Sequence, residues 1–406
     1  MSWEKVKLGE VASFSNGVNF GKQYYGKGIK LINVSDFGNR ISPDFSTLQE
    51  VKSEVIRETD ILKNGDILFV RSNGNKDLVG RCMLIKSCPF SVTFSGFCIR
   101  ARIEDKSLCD SLFMTYHFKS ALFRKAISNA AVGANIQNLS QGRLSSYEFD
   151  LPPLEIQNRI ASILSRYDDL IENYQHQIQL LEEAAQRLYK EWFVDLHFPG
   201  YENTNIVDGV PEGWEKKKIS DVCQTIGGGT PSTKVDSYYK DGKIKWVTPT
   251  DITRSNCLCL SDTEKKITEE GLQHSSAKML PAGTILMTSR ASVGYFGIFD
   301  CPVCTNQGFI SCIPNKDYIQ MYLLYNLKSR VNEIRIKAGG ATYLEISKSV
   351  FRELAILEPS SDILKPFQNK IHLLLDSMRN LTSQIRLLTE SRDRLLPKLM
   401  SGEITV

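Results

Sequence analysis

The stretch IASILSRYDDLIENYQHQIQLLEEAAQRLYKEW, residues 160–192, decides the fold. Its apolar positions recur in alternating steps of four and three residues for more than four heptads. These positions are Ile160, Leu164, Tyr167, Ile171, Tyr174, Ile178, Leu181, Ala185, Leu188 and Trp192. A sustained repeat of 3.5 residues predicts a long helix that packs against a partner helix along its whole length.

A second seam of the same kind lies near the end of the sequence. Its apolar positions are Ile371, Leu374, Met378, Leu381, Ile385, Leu388 and Leu395, and Arg392 interrupts them. Proline does not fit a helix interior, so Pro397 predicts a kink or a stop. We expect the two helices to pair as an antiparallel coiled coil with one globular domain at each end. The alternatives are a parallel pair, with both domains at one end, and two helices packed on separate cores.

The sequence of the globular parts is also duplicated. Trp3-Glu4-Lys5 recurs as Trp214-Glu215-Lys216, and Gln157-Asn158-Arg159-Ile160 recurs as Gln368-Asn369-Lys370-Ile371, both at an offset of 211 residues. Such self-similarity predicts two equivalent parts with two equivalent functions. The predicted divisions are a domain over 1–152, a helix over 153–195, a linker over 196–212, a domain over 213–360 and a helix over 361–406.

Bulk composition describes a soluble globular protein of 406 residues, with 42% hydrophobic and 24% charged residues. Apolar runs long enough for a membrane span or a secretory signal are missing, so we expect a cytoplasmic protein. The net charge of +4 is unevenly distributed: residues 1–152 carry +5, residues 213–358 carry +4 and residues 153–212 carry −7. Basic globular halves are compatible with phosphate contact.

Motifs that mark catalysis are missing from the sequence. It contains neither a phosphate-binding G-x-x-x-x-G-K-[ST] loop nor the Asn/Asp-Pro-Pro-aromatic run of amino-methyltransferases, and its five histidines are scattered. We therefore nominate no catalytic residue and no cofactor. Cys257, Cys259, Cys301 and Cys304 form a C-x-C and a C-x-x-C pair. A structural zinc site is one interpretation, and apolar packing is favoured because the first half has no matching pairs.

Within each half, strands precede a helix, which gives a mixed α/β class. Strands are predicted at 30–37, 64–70, 79–85 and 92–103, and at 243–252, 282–287, 293–299 and 307–313. Alternation over 97–103 predicts that Phe97 points into the core with Ile99, Ala101 and Ile103. Single helices are predicted at 108–129 and 317–337, and small-residue loops follow at 131–135 and 338–342.

Several boundary motifs make the resemblance to a known family specific. Leu151-Pro152-Pro153-Leu154 with Gln157-Asn158-Arg159-Ile160 opens the first long helix, and Glu191-Trp192-Phe193-Val194-Asp195 followed by Phe198-Pro199-Gly200-Tyr201 closes it. The sequence ends in Leu395-Leu396-Pro397-Lys398-Leu399-Met400-Ser401-Gly402-Glu403-Ile404. With the duplication, these motifs resemble the specificity subunits of type I restriction–modification systems. In the second copy, Leu357-Glu358-Pro359-Ser360 replaces the Leu-Pro-Pro-Leu motif.

The resemblance implies a non-catalytic subunit that binds double-stranded DNA. Each globular half would be a target recognition domain for one block of a bipartite site, and the paired helices would set the gap between the blocks. Two methylation subunits would grip the helices and carry the adenine methyltransferase chemistry. Restriction subunits would join through that complex.

Candidate DNA-contacting residues lie in the loops after the Ile-Leu strands and in the glycine-containing openings. Sequence is read mainly by Arg, Lys, Asn, Gln, Ser and Thr side chains on base edges. The candidates are Asn19, Lys22, Gln23, Arg71, Ser72, Asn73, Asn75 and Lys76 in the first half, and Thr230, Ser232, Lys234, Ser289, Arg290 and Ser292 in the second. The main alternative is a two-headed adaptor that binds proteins; a steep fall of affinity with salt distinguishes DNA binding.

Overall fold

The computed structural model describes residues 3–88, 90–129, 138–255, 257–340 and 343–406. Its internal contacts define two compact units. Unit 1 contains residues 1–171 and 388–406, and unit 2 contains residues 172–387. Each unit therefore combines one globular half with the start of one long helix and the end of the other.

Two helices, of 36 and 40 residues, are the longest elements of the fold. The first covers Leu154–Tyr189 and continues as a π-helical turn over Lys190–Val194. The second covers Ser361–Met400. Pro397 lies in its last turn, so the stop expected near this proline takes the form of a helix end at Met400.

The repeated Gln-Asn-basic-Ile motif has a structural role at the start of each long helix. The buried side chain of Gln157 accepts a hydrogen bond from the backbone N–H of Asp110 at 2.9 Å and donates one to the Pro152 carbonyl at 2.8 Å. Gln368 accepts a hydrogen bond from the backbone N–H of Met321 at 2.8 Å. Asp110 and Met321 lie at the starts of domain helices, so the motif ties each long helix to the domain that precedes it.

The globular part of unit 1 combines small sheets with short helices. One antiparallel sheet has the strand order Ala12–Asn16, Cys98–Ile103, Ile67–Val70 and Cys82–Leu84. A second has the order Gln49–Val51, Tyr25–Ile32 and Val92–Phe94, and Glu4–Lys7 pairs with Glu148–Leu151. The α-helices are Leu8–Val11, Ser111–Lys119, Ala121–Asn129 and Gln141–Ser145. Turns of 3-10 helix cover Lys22–Tyr24, Val34–Asp36, Ser53–Val55, Glu58–Asp60 and Lys76–Leu78.

Unit 2 repeats this plan. One sheet has the order Cys223–Gly227, Phe309–Pro314, Ile285–Thr288, Phe296–Phe299 and Cys259–Leu260. Another has the order Lys266–Ile267, Ile244–Val247 and Cys304–Thr305; Glu215–Lys218 pairs with Ala355–Glu358, and Ile206–Val207 with Val210–Pro211. The α-helices are Ile219–Val222, Pro249–Thr253, Glu269–Gln273, Gln320–Ser329, Val331–Lys337 and Lys348–Arg352. Turns of 3-10 helix cover Tyr201–Asn203, Asp236–Tyr238 and Asp317–Ile319.

The four-stranded sheet of unit 1 is covered on both faces. Ile67 and Phe69 pack in one hydrophobic cluster, whereas Leu68 and Val70 pack in another. The strand Ile67–Val70 is therefore buried at every position. It is entered through Gly65 at a φ of 94°, a left-handed conformation that glycine adopts without steric cost. Gly283, at a φ of 80°, has the same place before the equivalent strand of unit 2.

The expectation for residues 97–103 was wrong at its first position, because Phe97 lies before the strand, and it also missed that the sheet is covered on both faces. The strand begins at Cys98, which is fully buried, and Phe97 is 59% exposed on the turn before it. Alternation identifies a sheet that is buried on one face only. Here Ile99 and Cys98 belong to clusters on opposite faces, so both sets of side chains are buried.

Each single helix predicted in a globular half is two helices in the structure. In unit 1 the break is at Ser120, whose ψ of 154° is extended and whose N–H bonds to the carbonyls of Tyr116 and His117. In unit 2 the break is at Arg330. In the part of the chain that the structure describes, no helix has the length and apolar character needed to cross a membrane.

Candidate nucleic-acid interface

In the first domain, the Arg71 loop is fixed by its backbone. The Arg71 N–H donates to the Phe97 carbonyl at 2.8 Å, and the Arg71 carbonyl accepts from the Leu139 N–H at 2.7 Å. Ser72 forms a β-bridge with Asn138. The half-buried Arg71 side chain has no ion-pair partner among the described residues. The backbone at Arg71 is thus fixed, while its guanidinium has no acidic partner in the described part of the chain.

The glycine-containing opening packs against the same turn. The Val18 N–H donates to the Phe94 carbonyl at 2.9 Å, and the Gly96 N–H donates to the Val18 carbonyl at 2.8 Å. A Cβ atom on Gly96 would lie 1.9 Å from Oδ1 of Asn19, so the Asn19 side chain packs directly over Gly96 and would have to shift if another residue stood there. The turn of Gly96 and Phe97 therefore joins Asn19 to the Arg71 loop.

The second domain builds the same frame at the offset of 211 residues. The Gly229 N–H donates to the Thr305 carbonyl at 2.9 Å, which matches the bond from Val18 to Phe94. The exposed Thr230, equivalent to Asn19, donates its hydroxyl hydrogen bond to the side-chain oxygen of Gln307, which occupies the position of Gly96. One scaffold thus presents different polar groups in the two domains.

The two loop arginines do not occupy equivalent positions. The Ser289 N–H donates to the Gly308 carbonyl at 2.8 Å, and the Ser289 carbonyl accepts from Ile346 at 3.0 Å, which are the bonds made by Arg71 in the first domain. Arg290 bridges to Glu345, as Ser72 does to Asn138. Successive side chains of an extended segment point to opposite sides, so the two arginines project differently from the shared frame.

Local partners also distinguish the second loop from the first. Ser289 is only 3% exposed, so its side chain lies beneath the surface and the structure does not support its predicted role as a DNA contact. Arg290 forms an ion pair with Glu345 at 3.7 Å, and both side chains are about half exposed. An exposed pair of this kind is weak and leaves Arg290 able to exchange Glu345 for a phosphate or a base edge.

The other candidate residues lie at the surface, but they differ in how far their side chains are exposed and in whether those side chains already form hydrogen bonds. The exposed candidates are Asn19, Lys22, Gln23, Asn75, Thr230, Ser232, Lys234, Arg290 and Ser292, whereas Arg71, Ser72 and Asn73 are half-buried. Asn73 and Asn75 accept hydrogen bonds from the backbone N–H groups of Asn75 and Asp77, at 2.8 and 3.0 Å, so their oxygens already stabilise the loop. The side chain of Lys76, the loop at 131–135 and residues 341–342 lie outside the described residues.

Sequence reasoning missed three exposed side chains beside these loops. Phe97 carries the carbonyl that fixes Arg71, and Gln307 bonds Thr230. Tyr343, 60% exposed, lies two residues before the partner of Arg290. The offset of 211 residues was the available signal, because it pairs Asn19 with Thr230 and Gly96 with Gln307 once the frame is known.

Every predicted seam residue is buried or half-buried in its own unit. In unit 2, Ile178 and Trp192 share one hydrophobic cluster with Ile371 and Met378. In unit 1, Leu164 shares a cluster with Leu399, and Leu395 packs against it. The prediction began the second seam too late, since the helix begins at Ser361 and its residues Leu364 and Phe367 are fully buried.

The four cysteines considered as a zinc site belong to different clusters. Cys257 and Cys259 pack with the second long helix, and hydrogen bonds from Cys259 and Thr382 hold the pKa of Cys257 below its ordinary value. Cys301 and Cys304 pack elsewhere in the domain, and burial raises the pKa of Cys304 to about 12. Among the described residues, no three His, Cys, Asp or Glu side chains are grouped as a metal site requires.

Comparison with known proteins identifies the family. A family model described as the type I restriction modification DNA specificity domain matches residues 1–183 and 211–391. The chain belongs to this family. The HindI specificity subunit of Haemophilus influenzae is 25% identical over 476 aligned positions, which cover 99% of both chains. The MjaIX specificity subunit of Methanocaldococcus jannaschii is 35% identical over 181 residues; this match covers 44% of the chain and only 42% of that relative.

A solved structure of the same class shares the fold. The crystal structure of the type I restriction–modification S subunit from M. genitalium aligns with 98% of the chain and 96% of its own length, at a TM-score of 0.56 and 16% identity. The two family matches, 1–183 and 211–391, each include one globular half and part of a long helix. The chain therefore contains the family's domain twice, once in each half.

Proposed function

We propose that the chain is the DNA sequence-recognition subunit of a type I restriction–modification complex and that each globular domain reads one half of a bipartite target. The observation that carries this proposal is the shared frame with different side chains. Asn19, Gly96 and Arg71 in one domain stand where Thr230, Gln307 and Ser289 stand in the other. We expect this arrangement of two domains that read different sequences.

The domain bounds and partners form part of this proposal. Residues 1–152 and 213–360 are the recognition domains, 153–195 and 361–406 are the helical segments, and 196–212 is the linker. Two methylation subunits dock on the helices, and restriction subunits join the resulting complex. Methyl transfer and cleavage belong to those partners. The helical segments set the spacer between the two half-sites, because each unit is built on both helices.

Charge favours DNA as the ligand. The recognition domains carry the excess of positive charge, +5 over 1–152 and +4 over 213–358. Such domains gain affinity by releasing counterions from phosphates, so binding falls steeply as salt concentration rises. Arginine reads guanine through two hydrogen bonds in the major groove, and glutamine reads adenine in the same manner. Arg71, Arg290 and Gln307 have the chemistry for base contacts, and Lys22 and Lys234 for phosphate contacts.

The test compares the two halves of the target directly. Arg71→Ala and Arg290→Ala variants are assembled with the methylation subunits, and their affinity is measured on duplexes with one base pair changed in one half at a time. We expect each variant to lose about 1–3 kcal/mol of binding and to lose discrimination in one half only. Arg40→Ala is the matched control for Arg71→Ala, since Arg40 pairs with Asp44 at 3.2 Å on the surface of the first domain. We expect this control to keep the wild-type affinity and discrimination.

Two outcomes contradict the proposal. Loss of discrimination in both halves after a single substitution is incompatible with two independent readers. Affinity for duplex DNA that stays constant between low and high salt is incompatible with phosphate contacts, and it indicates a protein-binding adaptor instead.

A further inference from the structure

Arg392, the residue that interrupts the second seam, contacts the first long helix. Arg392 stands between Leu388 and Leu395, and its side chain is only 17% exposed. Its Nη1 atom donates to Oδ1 of Asp168 at 2.5 Å, and Asp168 is 6% exposed. Arg392 is held in this direction by Asp393, which accepts from Nε at 2.9 Å. A buried ion pair thus joins the two helices inside unit 1.

The same carboxylate also binds the first domain. The hydroxyl of Tyr116, on the helix Ser111–Lys119, donates to Oδ2 of Asp168 at 2.5 Å. Burial and the nearby Asp168 charge raise the pKa of Tyr116, so the hydroxyl keeps its proton and remains a donor. Asp168 therefore connects one domain helix and both long helices.

Unit 2 contains a related contact with a different connectivity. Glu182 of the first long helix accepts a hydrogen bond from Tyr325 at 3.2 Å and forms an ion pair with Lys328. Tyr325 and Lys328 both belong to the domain helix Gln320–Ser329. The cation that pairs with Glu182 comes from the domain, whereas the cation that pairs with Asp168 comes from the other long helix.

Stability alone does not account for the pair in unit 1. A buried ion pair is often no more stabilising than apolar side chains of the same size, because both charges lose their hydration. A polar group in an otherwise apolar seam has a well-attested effect on the register of paired helices. Leucine and isoleucine accept several registers, but a slip by one turn leaves the charges of Arg392 and Asp168 buried and unpaired.

We propose that the Arg392–Asp168 pair, positioned by Tyr116, fixes the axial register of the two long helices in unit 1 and thereby restricts the spacer length that the protein accepts. This inference rests on the proposed function, in which the helices set the spacer. A slip by one helical turn is about 5.4 Å, which corresponds to roughly 1–2 base pairs of B-form DNA. Removing the pair should therefore admit neighbouring spacers without changing the bases that are read.

The experiment measures spacer selectivity and base selectivity separately. The full chain is co-expressed with its methylation subunits in a host without other adenine methylation, together with a plasmid library in which the spacer between the half-sites varies. D168L/R392L removes both charges and restores the apolar seam. We expect adenine methylation at spacers 1–2 base pairs from the preferred one to rise at least tenfold relative to the preferred spacer, with unchanged discrimination in each half-site.

A matched control separates register from general stability. E182L/K328L removes an ion pair of the same kind that does not join the two helices, and we expect it to keep the wild-type spacer preference. Should D168L/R392L be insoluble, D168A/R392A removes both charges and leaves no polar side chain at the two positions, and the same result is expected from it.

The outcomes distinguish this inference from the function on which it rests. A single unchanged spacer in the charge-free variant, or equal relaxation in E182L/K328L, overturns the register proposal. If the methylation subunits assembled with the wild-type chain methylate no bipartite site, the proposed function itself is overturned.

Discussion

The buried histidine of the first domain provides a quantitative test of the packing. His117 is 5% exposed, and its Nε2 lies 2.8 Å from the Tyr147 hydroxyl. Its ring lies 4.9 Å from the ring of Phe149, measured between centroids, and 6.4 Å from that of Phe113. Burial lowers the pKa of His117 from 6.5 to about 4, because the charged ring would lose its hydration.

This lowered pKa makes unit 1 less stable in mild acid. Above pH 6.5 the histidine is neutral in both the folded and the unfolded chain, so it has no effect. Between pH 6.5 and about 4 only the unfolded chain binds the proton, and the free energy of unfolding falls as the pH is lowered. The full loss is about 3 kcal/mol, and about 2 kcal/mol of it is reached at roughly pH 5.

The assay is urea denaturation at several pH values, followed by pulse-labelled hydrogen exchange in peptides from the helix Ser111–Lys119. His117→Gln removes the titrating ring, so its free energy of unfolding should depend less on pH than that of the wild type. The exposed His176 gives the matched control, His176→Gln, which should follow the wild type. Parallel pH curves for wild type and His117→Gln would show that the buried ring is not the cause.

The other predictions concern the long helices. Insertion of one heptad into each helix, at Ile171–Glu172 and at Leu387–Leu388 where the helices pass between the units, keeps both seams in phase and adds about 10 Å. We expect the methylated sites to acquire a spacer about 3 base pairs longer, and an unchanged spacer rejects a role of the helices in setting it. Phe367→Ala removes a fully buried ring 4.8 Å from that of Phe193 and should cost about 3–5 kcal/mol in thermal or chemical denaturation. Leu373→Ala, at a position that is 71% exposed on the same helix, should cost almost nothing; equal losses contradict the described packing.

The long helices and the two-domain organisation were predictable from the sequence, because both produce a repeated pattern in it. The 3.5-residue spacing identified both long helices, because such a pattern is stable only with a partner helix. The duplication identified two equivalent domains. The start of the second seam was missed, since Leu364 and Phe367 lie before the matched Gln368 motif; Phe367 packs against Tyr189, Trp192 and Phe193 at the end of the first long helix.

Local features were harder to predict because neighbouring elements determine them. Phe97 fits a strand pattern but lies on a turn, since the strand begins one residue later. Arg71 and Arg290 look alike in sequence, yet backbone pairing aligns Arg71 with Ser289. A shift of one residue in an extended segment changes the direction of the side chain, and a single sequence contains no information on that register.

The split composition of unit 1 has a consequence for biosynthesis. Residues 388–406 complete the hydrophobic cluster of the N-terminal domain, yet they follow all of unit 2 in the chain. On the ribosome, the domain that emerges first must wait for the segment translated after residue 387, and in the meantime its hydrophobic cluster, which includes Leu164, lacks Leu399 and Met400. All residues of unit 2 are translated before residue 388. Translation therefore begins with unit 1, but unit 2 is the first of the two to be complete.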